Sequence, residues 1–311
     1  MRANILALAA LAVVPFEVAC DFETWCDNSD RFREDFQYSF DLKPGGRVSV
    51  DTFNGSIEIL SWEKNTVQIT GTKYAAREED LKDMKIETKA DAGSVQLRTV
   101  RPLSRRGNMG AKYFLRVPQR VELDTIHSSN GTIRVEDIDG NARLDTSNAT
   151  IRMRKLHGRV EAKTSNGAIE GDDLVGEAVL RTSNGAIRMD RVQGGIEATT
   201  SNGSIHVAVS KPKPGQPLRF ESSNGSLDLA IAELANSEVR ASTSNSSITL
   251  RVPASIKALL RASTSNSSIT SELDVVTRGT LGKNHLEGEI NGGGPLIQLS
   301  TSNGSIKVLK Q

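Results

Sequence analysis

Arg152 and Arg154, Glu170 and Asp172, and Arg188 and Asp190 form three charged pairs that repeat every 18 residues. One residue separates the members of each pair, so in an extended chain both point to the same face. If the three segments are neighbouring strands, the charges lie about 5 Å apart between strands and about 7 Å apart along one. Carboxylates beside arginines on such a face can hold calcium while a basic residue removes a proton, which is the chemistry of polysaccharide cleavage. The plainer reading is a surface ion-pair ladder. Sign alternates between rows along Arg152, Glu170 and Arg188, as cross-strand pairing prefers, and Arg143 over Glu161 and Asp145 over Lys163 repeat the alternation on a second face. That recurrence favours the ladder, whose members are individually weak. The six residues therefore stand as a candidate binding face, and no residue is assigned a catalytic role.

Other chemistry is sparse. His127, His157, His206 and His285 share no metal-ligand spacing, and no glycine loop suited to phosphate precedes a helix. No metal or cofactor is expected. Basic and acidic residues number 39 and 38, for a net charge of +1. That balance, without a long basic run, argues against nucleic acid as a partner.

The strongest pattern is a repeat. Asn130, Asn148, Asn166, Asn184, Asn202, Asn224, Asn245, Asn266 and Asn303 each follow a serine and stand three residues before an Ile or Leu. Their steps are 18 four times, then 22, 21, 21 and 37. The last step reads as two rungs with one degenerate copy between. Asn54-Gly55-Ser56-Ile57 is an outlying copy. Counting from each asparagine, position +3 is apolar, +5 mostly so, and +4 and +6 mostly charged, an alternation of period two that reads as a half-buried strand. Position +8 is apolar and +10 is Gly140, Gly158, Gly176 or Gly194, a turn marker; +12 and +14 are apolar or small. Two strands per rung and a fixed period predict an all-β fold, a single-chain parallel β-solenoid of 18–22 residues per rung. The chirality of parallel crossovers favours a right-handed coil. About 14 rungs would stack to roughly 65 Å. An aromatic content of 4% suits a core too thin for rings.

Position +1 is usually Gly but is Ala149, Ser246 and Ser267 in three rungs, so the corner does not demand a positive φ there. The constant residue is the asparagine, whose stacked amides can bond to one another in a ladder. A row of amides binding a regular ligand is the functional alternative. Sequons such as Asn130-Gly131-Thr132 arise from the repeat itself. By parity Thr146, Thr164 and Thr182 face inward, which removes them from any flat outer array for ice or crystals.

The chain opens with an apolar run, Ile5 to Phe16, followed by Ala19-Cys20, and residues 1–19 read as an export signal. Cys20 is a lipidation candidate, although Glu17 does not suit the motif, and pairing of Cys20 with Cys26 is the alternative. Residues 20–40 read as a linker, 41–126 as irregular rungs and 127–311 as regular rungs of one domain. Tyr74 to Met84 is the helix candidate, suited to cover an open end.

Phe40-x-Leu42-x-Pro44-Gly45-Gly46, then Asn54-Gly55-Ser56-Ile57-x-Ile59 and Trp62, the Thr-Ser-Asn-Gly-x-Ile rungs, and a final Gly-Gly-Gly-Pro-Leu stretch resemble a family of bacterial adhesin-like domains of unknown function. The resemblance covers about residues 38–311. It implies an exported β-solenoid associated with the cell envelope (periplasm, outer membrane or cell surface) and supplies no catalytic residues. The expected role is a noncatalytic scaffold or adhesin-like surface for an envelope glycan, lipid or protein. A polysaccharide lyase or hydrolase acting through the charged face is the alternative.

Overall fold

The computed structural model describes residues 31–102, 107–277 and 282–311. The expected export signal, Cys20 and Cys26 lie outside the described residues. The chain begins with β1 (Phe32–Asp41), β2 (Gly46–Thr52), β3 (Ile57–Trp62), β4 (Thr66–Ala75), α1 (Glu78–Asp83), β5 (Lys85–Asp91), β6 (Ser94–Val100) and β7 (Met109–Pro118). The regular rungs use β8 (Val121–Ser128), β9 (Ile133–Asp139), β10 (Ala142–Thr146), β11 (Ile151–His157), β12 (Val160–Lys163), β13 (Ile169–Arg181), β14 (Ile187–Thr200), β15 (Ile205–Lys211), β16 (Leu218–Ser222), β17 (Leu227–Ile231), β18 (Val239–Thr243), β19 (Ile248–Val252), β20 (Ala258–Thr264) and β21 (Ile269–Ser271). The chain closes with β22 (Val275–Thr277), β23 (His285–Ile290), β24 (Leu296–Thr301) and β25 (Ile306–Lys310).

Each rung runs one strand into the asparagine corner and a second out of it, so the rungs build a leading and a trailing parallel sheet. β13 and β14 run through from the trailing sheet of one rung to the leading sheet of the next, pairing in register from Ile169↔Ile187 to Arg181↔Thr199. The leading order is β5–β6–β2–β8–β10–β12–β13–β14–β16–β18–β24–β20–β23–β22. The trailing order is β1–β4–β7–β3–β9–β11–β13–β14–β15–β17–β19–β25–β21.

Spatial order departs from chain order at both ends. The rung holding Asn54 lies inside the layer of β6 and β7, and the C-terminal rung of β24 and β25 is inserted between the rungs of Asn245 and Asn266. Among the described residues no degenerate rung lies between Asn266 and Asn303; β23 pairs antiparallel with β20 there, and β22 pairs antiparallel with β23. Antiparallel β4 and β5 likewise take residues from the N-terminal rungs. Among the described residues nine layers carry the repeat asparagines, a tenth Asn54 and an eleventh Asn108, fewer than the sequence suggested. The expected linker is a strand from Phe32, because Phe36, Tyr38 and Phe40 give β1 a half-buried side against the end of the core. The helix is shorter than expected: Tyr74 and Ala75 remain in β4, and α1 packs Leu81 against Ala75, Met84 and Met109 beside this end.

The core is continuous, and the stacked columns compensate one another in volume. Phe220, fully buried, pairs with Ala198 on one side and Ala241 on the other. A ring therefore fits this thin core where both neighbours are alanine. Gly171 has the reverse partners: a Cβ there would stand 2.5 Å from Met189 and 3.6 Å from Met153, whose side chains fill its place. Between +5 and +8, Asp137, Lys155, Asp173 and Arg191 take positive φ of 51–60°. One left-handed residue shifts the parity, so Met153 and Leu156 are both buried although two residues lie between them, which in a regular strand would put them on opposite faces. That is why the apolar residue at +8 lies in the continuation of the trailing strand.

Tyr113 is buried beneath β1, its hydroxyl 2.6 Å from that of Thr99 and its ring edge-on to Phe36. Burial pushes its phenol well above the usual range, against the opposing hydrogen bond from Thr99. An unfolded tyrosine ionises near pH ~10, so this contribution is intact below that pH and is lost as pH rises past it. Tyr113→Phe is expected to flatten the fall in urea midpoint between about pH 9 and 11. In the core, Ala241→Leu is expected to destabilise by about 1–3 kcal/mol by overpacking Phe220. Phe220→Leu in the same chain should recover part of that loss in urea titration.

Candidate functional site

Three sets of residues could carry function: the corner ladder, the charged trailing face, and a groove at the N-terminal end. At the corner the asparagine amides form one unbroken ladder. Asn148 Nδ2 donates to Asn130 Oδ1 at 2.7 Å, and the pattern continues through Asn166, Asn184, Asn202, Asn224 and Asn245. It then passes to Asn303 and ends with Asn266 donating to Asn303 Oδ1 at 2.7 Å. Asn54 stays out of this ladder and donates to Asn108 Oδ1 at 3.0 Å. Each amide of the row bonds to the amides of its neighbouring layers.

Behind the amides runs a second, buried ladder that the sequence only hinted at through parity. Thr182 Oγ1 donates to Gly167 O at 3.0 Å, Thr200 repeats this to Gly185 O, and Gly185 N donates back to Thr182 Oγ1 at 3.2 Å. The +1 glycines serve it by close approach. A Cβ at Gly185 would stand 1.8 Å from Gly167 O, and one at Gly203 1.8 Å from Gly185 O. None of the +1 glycines from Gly131 onward has positive φ. Ala149, Ser246 and Ser267 forgo the amide bond to the threonine hydroxyl while keeping the amide ladder.

All six candidate face residues line one surface depression of about 290 Å³, with Met153 and Gly171 at its floor. Register places Arg152 beside Glu170, Glu170 beside Arg188, and Arg188 beside His206. Arg152 Nε lies 3.1 Å from Glu170 Oε2. Asp172 Oδ2 is taken by Arg191, from the left-handed position of the next rung, and its enclosed Oδ1 accepts no hydrogen bond. Arg154 and Arg188 pair with no carboxylate among the described residues, whereas Arg134, Arg143, Arg159 and Arg251 each do. The alternation expected between Asp145 and Lys163 is not an ion pair; Asp145 lies 3.5 Å from His127. With Glu170 and Asp172 both held by arginines, neither is poised to hold calcium. No group of histidines, cysteines and carboxylates among the described residues could hold a metal ion.

A larger groove of about 940 Å³ lies where β1, β4, β7 and β3 curve, lined by Asp35, Gln37, Thr72, Lys112 and Phe114 among others. It depends on β1 pairing with β4, residues distant from the repeats, so no periodic signal could have revealed it. It is continuous with the charged face: Phe114 pairs in register with Glu58, Glu58 with Arg134, and Arg134 with Arg152.

A repeat-stacked parallel solenoid with antiparallel ends is the class that this geometry defines. The chain belongs to the Toastrack DUF4097 family, whose pattern matches residues 42–309. Among solved structures it is similar to a candidate adhesin from Bacteroides fragilis, at 14% identity over 89% of this chain and 97% of that one, with a TM-score of 0.39. A candidate adhesin from Parabacteroides merdae shares 8% identity over 89% and 96%, with a TM-score of 0.33. A candidate cell adhesion protein from Clostridium sporogenes shares 10% over 89% and 100%, with a TM-score of 0.22. No curated protein matches the sequence.

The corner makes a graded prediction. Asn184→Ala removes two amide bonds and is expected to lower stability by about 1–3 kcal/mol. Gly185→Ala places a Cβ 1.8 Å from Gly167 O unless the corner shifts and should lower it further, while Ser183→Ala should stay within about 0.5 kcal/mol. Urea midpoints of the three variants check the order.

Proposed function

We propose that this protein is a noncatalytic, adhesin-like solenoid of the cell envelope, and that its trailing face binds an anionic envelope glycan. The observation that carries the reading is the pair of unpartnered guanidiniums, Arg154 and Arg188, in a depression whose other arginine is already paired. Guanidinium is suited to planar bidentate bonds with carboxylate or phosphate groups. An extended polymer lying along the face would gather many weak contacts, additive through multivalency. The groove near Phe114 supplies a partly exposed ring at one end of that track. The candidate adhesins among the solved structures agree with a surface role. Export, with or without a lipid anchor at Cys20, belongs to the same reading. No helix among the described residues is long and apolar enough to cross a membrane.

The test is binding of the purified protein to polygalacturonate, with dextran as neutral control. Binding should weaken with added salt, as exposed charges are screened. Arg154→Ala with Arg188→Ala should lose about tenfold in affinity, about 1.4 kcal/mol; Arg159→Ala, whose partner is Glu177, should lose little. Equal losses in both variants, or no preference for the anionic polymer, would remove the proposal. Release of unsaturated ends would establish the enzyme alternative instead.

A further inference from the structure

The inserted C-terminal rung separates two rungs that are suited to stack on each other. Asn224 to Asn245 is 21 residues and spans one layer; Asn245 to Asn266 is again 21 residues but spans two. Their columns agree, since Thr243 and Thr264 both pair with Thr301, and Ile248 and Ile269 both pair with Ile306. Withdrawal of the inserted rung therefore need not leave two bare core faces, because the flanking rungs can close on one another. The free energy of opening is then that of one rung.

The slot itself is generic. It holds the rung by main-chain pairing and by the amide ladder, with Ser302 N donating to Ser244 O and Asn266 N to Ser302 O. The rung is joined to β23 by a glycine hinge in which Asn291, Gly292 and Gly293 have φ of 49°, 84° and 82°. Apart from a turn bond of its own, the hinge is tied to the body through Asn291 Nδ2, which donates to Ala254 O and Ile256 O.

We propose that residues 295–311 are exchangeable between copies of this chain, so that the slot between Asn245 and Asn266 accepts the same rung from a second copy. Every contact in the slot is reproduced in the exchanged pair, and only the hinge changes conformation. Such exchange would link solenoids in pairs and multiply their outer faces.

Deleting Gly292 and Gly293 removes two of the three positive-φ residues of the hinge and disfavours the turn of the rung back into its own slot. The expected result is a defined dimer with twice the sedimenting mass; a folded monomer would overturn the proposal. Because a shortened hinge can misfold, the intact hinge is tested as well. In chains carrying Cys20→Ser and Cys26→Ser, Ser242→Cys is mixed at high concentration with Ser300→Cys, its register partner. Cross-chain disulfide should exceed by several-fold that between Ser242→Cys and Ser39→Cys, a site on β1, and should rise with concentration during mixing. Equal yields in the two mixtures would overturn it.

Discussion

The register of the layers depends on the asparagine corner, where each amide bonds to the next and most rungs bring their backbones into close approach. A Cβ on Gly167, Gly185, Gly203 or Gly225 would stand within 1.8 Å of the carbonyl below. Most rungs place no side chain there, and the layers, those of Ala149, Ser246 and Ser267 included, stack at the strand spacing of about 4.8 Å. At that spacing the outer amides reach each other at 2.7–2.8 Å and the inner threonine hydroxyls reach the carbonyl below at 2.9–3.2 Å where the repeat is regular. Each bond contributes only about 0.5–1.5 kcal/mol net, but they recur in every layer and fix the register on which the core columns rely.

The thin core follows from the same spacing. Neighbours in a column are so close that volume is shared between layers: Phe220 between two alanines, Gly171 between two methionines. The outer faces inherit the period too, which turns a few charged residues into a long track. On that track most arginines are neutralised by a neighbour in the same or an adjacent layer. Arg154 and Arg188 are the departures that give the face a chemical preference.

Much of this was legible in the repeat. The asparagine ladder, the inward threonines and the alternating strand out of the corner follow from residue type and period alone. The left-handed residue at +7 did not, because Asp137, Lys155, Asp173 and Arg191 share no type that signals it. Without it the pairing of Arg191 with Asp172 could not be foreseen, and Asp172 looked available for a ligand. Rung order at the C-terminus was illegible for a deeper reason. One Thr-Ser-Asn-Gly-x-Ile rung fits beside any other, so sequence distance does not determine which rungs touch. β1 was missed because its partner β4 lies outside the period, and its half-buried aromatics looked like those of a solvated linker.

The ladder and the order of its rungs can be read together from contacts between side-chain amide protons in a nuclear Overhauser spectrum. The account predicts a single path from Asn130 through Asn245, then Asn303, then Asn266, with no strong direct contact between Asn245 and Asn266. A strong Asn245–Asn266 contact with Asn303 outside them, or no contacts between successive amides, would contradict it.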